Sequence, residues 1–255
     1  MTDAVLTEYA DGVAVVTLNR PRARNAANLE MSEGVAAAME ELDKRDDLVV
    51  GVLTGAEGTF CSGMDLKAFL AGERPVVSGR GFLGLVQAPP KKPLIAAVEG
   101  YALAGGCEAV LACDLVVAAE NAKFGIPEVK RGLLAAGGGL LRLQRRLPYQ
   151  VALELALTGE FLEAPRAHHY GLVNRLTEPG GALAEAKRLA AAIAANGPLA
   201  VRASKELMSR SQYWTEEEAW ERQKPLAVAI NQESEDAREG ARAFAEKRAP
   251  RWQGR

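Results

Sequence analysis

Two runs rich in β-branched residues, Val13–Leu18 and 49–54, flank a stretch in which Met31, Val35, Met39 and Leu42 recur at helical spacing behind a capping Asn28. Strand, helix and strand in that order leave the two strands parallel, because an antiparallel pair needs only a tight turn. The pattern returns from Leu94–Val98, through a glycine-rich turn and an apolar helical run, to 115–118. Two such crossovers predict an α/β fold built on a largely parallel sheet with right-handed connections. Beyond Pro148 the pattern changes to successive helical segments at 151–157, 165–170, 183–193, 199–208 and 216–230, so the carboxy-terminal third is expected to be helical. Residues 71–81 are rich in glycine and charge but show no period, and they are expected to form a loop near a substrate.

With 255 residues, 48% of them hydrophobic, the chain can bury one large core or a core with a helical appendage. A formal net charge of −2 provides no global field for nucleic acid, although a local basic cluster could still hold a phosphorylated ligand. The three cysteines, Cys61, Cys107 and Cys113, are odd in number and lack metal-ligand spacing, as expected of small buried hydrophobes in a reducing compartment. Residues 1–8 carry two acids and neither a basic nor an apolar leader region, and every apolar run is broken before it could span a bilayer. A cytoplasmic protein without a membrane partner is expected.

Several enzyme classes can be set aside. Gly79-Arg80-Gly81-Phe82-Leu83-Gly84 fits G-x-G-x-x-G, but no strand leads into it and Pro89-Pro90 stops any helix behind it, so a dinucleotide site is not expected. The only histidines, His168 and His169, sit together in a helical context with no nucleophile elbow, against a Ser-His-Asp hydrolase. Aromatic residues make up 5%, too few for the sugar cleft of a two-carboxylate glycosidase.

Residues 104–128 carry the chemistry. Glu108 follows Gly105-Gly106-Cys107 in the apolar helical run, and Glu128 follows Pro127 after the next strand, so two acids leave different elements and could converge on one cleft. Carboxylates in apolar surroundings have raised pKa values and suit acid/base work. Asp114 is read as a turn cap.

Tyr101-Ala102-Leu103-Ala104-Gly105-Gly106-Cys107-Glu108, Cys113-Asp114 and Phe124-Gly125-Ile126-Pro127-Glu128 closely resemble the crotonase (enoyl-CoA hydratase/isomerase) family. Asn19-Arg20-Pro21 with Asn25-Ala26, Phe60-Cys61-Ser62-Gly63-Met64-Asp65-Leu66, Gly171-Leu172-Val173-Asn174, Asn196-Gly197-Pro198-Leu199-Ala200 and Glu239-Gly240-Ala241-Arg242-Ala243-Phe244 extend the resemblance, in the family's order, across nearly the whole chain. It implies a crotonase-like ββα spiral core over 1–195 carrying an acyl-CoA site, and a helical region over 196–255 for packing into a homo-trimer or dimer of trimers.

The resemblance also implies roles. The N–H groups of Met64 and Gly105 form the oxyanion hole; Glu108 and Glu128 hold a water, with Glu108 activating it for attack at C3 and Glu128 exchanging the proton at C2. Family isomerases manage with the acid at the Glu128 position alone, so retention of both favours an enoyl-CoA hydratase acting in fatty-acid or related acyl-CoA degradation. An isomerase, a carnitinyl-CoA-type dehydratase and a non-catalytic acyl-CoA-binding member are the alternatives. Where hydratases carry Pro-Gly-x-Gly-Gly-Thr-Gln-Arg-Leu, this chain has Ala135-Ala136-Gly137-Gly138-Gly139-Leu140-Leu141-Arg142-Leu143, which puts Ala136 at the water-orienting backbone amide. The coenzyme A contacts fall on Arg22, Ala23, Arg24, Ala26, Ser62, Asp65, Leu66 and Lys67, with Phe244 and Lys247 reaching the nucleotide of an adjacent subunit. No separate cofactor or metal is implied, since coenzyme A is part of the substrate.

Overall fold

Asp11 and Gly12 both adopt positive φ (50° and 77°), the requirement of a two-residue type I′ turn, and they join β1 (Val5–Ala10) to its antiparallel partner β2 (Val13–Leu18). The computed structural model describes residues 3–255, so residues 1 and 2 of the segment read for a leader lie outside the described residues. α1 (Leu29–Lys44) follows, with the Asn28 side chain accepting the Met31 N–H at 3.0 Å and all four of the expected apolar positions buried. β3 (Val50–Gly55) then pairs parallel with β2.

The middle of the chain continues with α2 (Leu66–Leu70), the small antiparallel hairpin β4 (Val76–Val77) and β5 (Gly81–Phe82), then β6 (Leu94–Val98), β7 (Tyr101–Leu103), α3 (Gly105–Ala112), β8 (Leu115–Ala119) and β9 (Lys123–Gly125). α4 (Gly139–Arg146), α5 (Tyr149–Thr158), β10 (Leu162–Glu163), α6 (Ala164–His169) and β11 (Arg175–Thr177) lead to the helical end, α7 (Ala182–Ala194), α8 (Pro198–Ser211), α9 (Glu216–Val228) and α10 (Glu235–Glu246). The main sheet has the order β1-β2-β3-β6-β8-β11, parallel everywhere except β1 with β2. A second, short sheet runs β10-β9-β7.

Both faces of the main sheet are covered, which explains its near-continuous apolar strands. Val16, Leu18, Leu53, Leu94, Ala96, Val98, Val116 and Ala118 face the large core with α1 and α3, while the alternate residues Val15, Val52, Ile95, Ala97 and Val117 face α7. α7 presents Ala182, Ala186 and Ala190, whose small side chains let it lie close on the sheet. Its start is capped by Glu99, which accepts the N–H groups of Gly180 (3.0 Å) and Ala182 (2.9 Å).

Two sequence expectations change. Residues 71–81 hold β4 and the turn into β5, and the segment is anchored by the Ser32 hydroxyl donating to the Pro75 carbonyl at 3.0 Å. The G-x-G-x-x-G match forms that hairpin turn and leads into no helix, in keeping with its exclusion. Asp114 is not a turn cap: its carboxylate accepts the Leu94 N–H at 2.8 Å and pairs with Lys205 Nζ at 2.6 Å. Lys205, on α8, also donates to the carbonyls of Pro90 (2.8 Å) and Lys92 (2.9 Å), so one ammonium fastens the helical end to the loops that enter β6 and β8. All three cysteines are free and buried, and burial pushes their thiols up to about 11 for Cys61 and about 12 for Cys107 and Cys113. None of the described helices is long and apolar enough to cross a membrane.

Lys205 retains 14% side-chain exposure and Asp114 30%, so removing the cation strands a half-buried carboxylate and two carbonyls. Lys205→Met is expected to lower unfolding free energy by about 2 kcal/mol, read from urea denaturation with an unchanged m-value.

Candidate active site

Each turn of the spiral leaves the main sheet for a short second-layer strand, and the site forms where those strands end. Cys61 bridges Ala102 in parallel and β7 pairs in parallel with β9. Past these three stations come, in order, Met64, Gly105 at the start of α3, and Glu128 in a 3₁₀ turn over Pro127–Arg131.

Backbones meet at unusually short range there. A Cβ at Gly106 would lie 2.2 Å from the Cys61 carbonyl oxygen, and one at Gly63 would lie 2.8 Å from Ala104 Cβ and 3.4 Å from Gly105 N. Glycine is therefore required at both positions. Ala104 holds φ 51° and ψ −127°, a conformation costly for a residue with a Cβ, and it turns the chain so that α3 can begin at Gly105. Among the described residues, neither the Met64 N–H nor the Gly105 N–H has a hydrogen-bond partner. Two free amides thus sit side by side, one of them at a helix N-terminus that favours negative charge.

The acids flank this pair of amides. Glu108 is on the first turn of α3 and only 4% exposed; its Oε1 accepts the Gly139 N–H at 2.9 Å. Burial raises its pKa, while the amides of Gly139 and Gly137 and the charge of Arg142 pull the other way and lose. Glu128 is pushed up to about 7, first by burial and further by the nearby charge of Glu108. Its Oε2 is buried without a hydrogen-bond partner. A carboxyl group in that state is a proton donor or acceptor near neutral pH.

The loops expected to meet coenzyme A are also brought together. Ser62 N–H donates to the Arg24 carbonyl (3.1 Å), Ala27 N–H to Gly63 O (2.7 Å), and Asp65 N–H to Ala27 O (2.9 Å). The buried Asn25 carboxamide pins this loop, accepting from Arg20 N and donating to the carbonyls of Ala56 and Thr59. Arg22, Arg24 and Lys67 are exposed and, among the described residues, form no ion pair. Ala23 and Ala26 lie between them, and Leu66 is exposed beside Lys67. The Asp65 side chain is already engaged: it accepts from Lys67 N and Ala68 N and pairs with Arg20 at 2.9 Å. Burial would raise that carboxyl, but Arg20 and the two amides win and hold it below its ordinary value.

Ala136 is exposed and outside the positive-φ region, so its Cβ is tolerated there; Glu108 itself is held by the Gly139 amide, a contact that sequence reasoning missed. The visible signal for this was the triple glycine at 137–139, where a Cβ at Gly137 would lie 2.4 Å from Glu108 Oε2. Phe244 on α10 and Lys247 at its end are not brought to the glutamates within one chain. α10 packs on Ala229–Glu233 and on Trp252, leaving Phe244 89% exposed. Sequence reasoning missed Phe82, whose ring lies against Gly105.

A family model described as enoyl-CoA hydratase/isomerase matches residues 8–255. An enoyl-CoA hydratase of Mycobacterium tuberculosis is 42% identical over 98% of this chain and 96% of its own length. A carnitinyl-CoA dehydratase of Proteus mirabilis is 38% identical over 95% of each. Among solved structures, an enoyl-CoA hydratase from Mycobacterium tuberculosis H37Rv superposes with a TM-score of 0.97 at 56% identity, covering 99% of this chain and 100% of that one.

The raised pKa of Glu128 has a consequence for stability. Between its ordinary 4.5 and about 7 the folded state binds more protons than the unfolded chain, so this group's contribution to stability falls as pH rises through that window. The group is partly exposed, and after allowance for solvent screening the loss is about 1 to 2 kcal/mol. Glu128→Gln is expected to gain that much relative to the parent protein between pH 5 and pH 8, measured by denaturant unfolding at each pH.

Proposed function

The chain belongs to the enoyl-CoA hydratase/isomerase family, and from that premise we propose that it is a hydro-lyase adding water across the 2,3 double bond of a 2-enoyl-CoA to give the 3-hydroxyacyl-CoA. The observation that carries the reading is the pairing of two raised-pKa acids, Glu108 buried and Glu128 half-buried, with two unpartnered amides in one site. The thioester oxygen accepts from Met64 and Gly105, which hold the charge that develops as the enolate forms and are fixed before reaction. Glu108, clamped by the Gly139 amide, takes a proton from water as the water oxygen bonds to C3. Glu128, with its unpartnered oxygen, delivers a proton to C2, and the two glutamates then re-equilibrate with solvent. Arg22, Arg24 and Lys67 meet the phosphates of coenzyme A.

Hydration needs both acids and a double-bond shift needs one, so the burial and clamping of Glu108 favour hydratase over isomerase. Phe244 and the exposed Met208, Tyr213 and Trp220 of the helical end support a trimer or dimer of trimers in which these apolar groups are covered.

Glu108→Gln and Glu128→Gln are each expected to lower turnover of crotonyl-CoA at least about a hundredfold while acyl-CoA binding persists. In heavy-oxygen water the parent protein should place the label at C3; rapid 3-enoyl to 2-enoyl conversion without labelled hydroxyl would replace hydratase by isomerase. Light scattering should give three or six chains per particle, and a concentration-independent monomer would remove Phe244 and Lys247 from a shared site.

A further inference from the structure

We propose that Phe82 limits the acyl length the site accepts, making it selective for short enoyl thioesters. The inference rests on the hydratase reading above. In the run from Gly81 to Val86 every residue is buried except Phe82, whose ring packs against the core yet keeps part of its surface accessible. That ring lies against the backbone of Gly105, the residue whose N–H is the oxyanion donor: its Cε1 and Cζ would be 2.4 Å from a Cβ there. An accessible ring surface touching Gly105 borders the space where a thioester carbonyl seated on the Gly105 amide continues into its acyl chain.

The ring cannot easily be displaced by moving its backbone. The Ser32 hydroxyl holds the Pro75 carbonyl at 3.0 Å, Arg80 Nε donates to the Gly84 carbonyl at 2.8 Å, and Arg142 Nη2 donates to the Val86 carbonyl at 2.6 Å. Gly84 is pressed onto α1 so closely that a Cβ would lie 2.3 Å from the Ser32 carbonyl oxygen. The strap is fastened to α1 at one side and to α4 at the other, and α4 also carries the Gly139 amide that holds Glu108. The wall is therefore rigid, and its one large accessible side chain determines the depth beside the carbonyl.

The test compares kcat/KM for crotonyl-CoA and 2-decenoyl-CoA in the parent protein, Phe82→Ala, Phe82→Leu and Phe82→Trp. The parent should prefer crotonyl-CoA. Phe82→Ala should raise the decenoyl-to-crotonyl ratio at least about tenfold, with Phe82→Leu between and Phe82→Trp shifted the opposite way, as expected when pocket volume is the discriminating factor. If Phe82→Ala does not fold, the leucine and tryptophan variants still give opposed shifts. A parent preference for decenoyl-CoA, or ratios unchanged within about twofold while both substrates slow alike, would overturn the proposal and leave Phe82 as a brace for Gly105. If the parent hydrates neither thioester, the hydratase reading fails separately. Relative binding of butyryl-CoA and decanoyl-CoA to the same variants, by calorimetry, then supports the wall if it shifts as above and overturns it if it does not.

Discussion

The close approach of two backbones, at Gly106 over the Cys61 carbonyl and at Gly63 beside Ala104, is the constraint on which the site depends. Two amides can point into the same small volume only if no side chain separates the segments that carry them. The second-layer pairing supplies the force that keeps them together: Cys61 N–H donates to Tyr101 O (2.9 Å), Leu103 N–H to Cys61 O (3.0 Å) and Ala104 N–H to Gly125 O (2.8 Å). These bonds offset the strained φ of Ala104, a cost on the order of 1 to 3 kcal/mol. Preorganisation here is a property of backbone geometry, so the identity of the side chain at Met64 matters less than the glycine before it.

Electrostatics follow from the same packing. α3 is buried along its whole length, and Glu108 is carried inside with it because it lies on the first turn. A lone carboxylate there would be prohibitively costly, and the loop leading into α4 relieves part of the cost by offering the Gly139 N–H. Burial and the charge of Glu108 push Glu128 up to about 7, and one of its oxygens keeps no hydrogen-bond partner. The large parallel core provides the stability that an enzyme gives up at such a site.

How much could be read from the residues depended on how far a periodic pattern ran. β2, α1, β6, β8 and α7 were legible because each spans enough residues for a period of 2 or 3.6, or an unbroken apolar run, to show. β7, β9 and β11 have three residues each and β10 two, too short for any period, yet β7 and β9 are the strands that aim Gly105 and Glu128. The glutamates and oxyanion positions were visible through motif resemblance, whereas the partner of Asp114, 91 residues away on α8, was not, because an ion pair between distant elements leaves no local signal. Gly139 shows the finer limit. A motif match locates a cassette, but which of its amides turns toward a carboxylate depends on backbone dihedrals that residue identities do not specify. The helical end was readable as helices, but the wider turn over Ala229–Glu233, after Pro225 interrupts α9, was not.

The two sides of the candidate site are held in place by different means. The groups that hold the reacting atoms come from the ends of paired second-layer strands, where a change in one residue displaces a backbone that several others depend on. The wall beside them comes from a hairpin whose two strands have two residues each and whose position is set by three side-chain bonds to carbonyls, from Ser32, Arg80 and Arg142. Two of these bonds, from Ser32 and Arg142, come from outside the hairpin and end on carbonyls, which are present whatever side chain the accepting residue bears. A change of side chain at position 82 would leave those two bonds, and the Gly139 N–H that holds Glu108, in place.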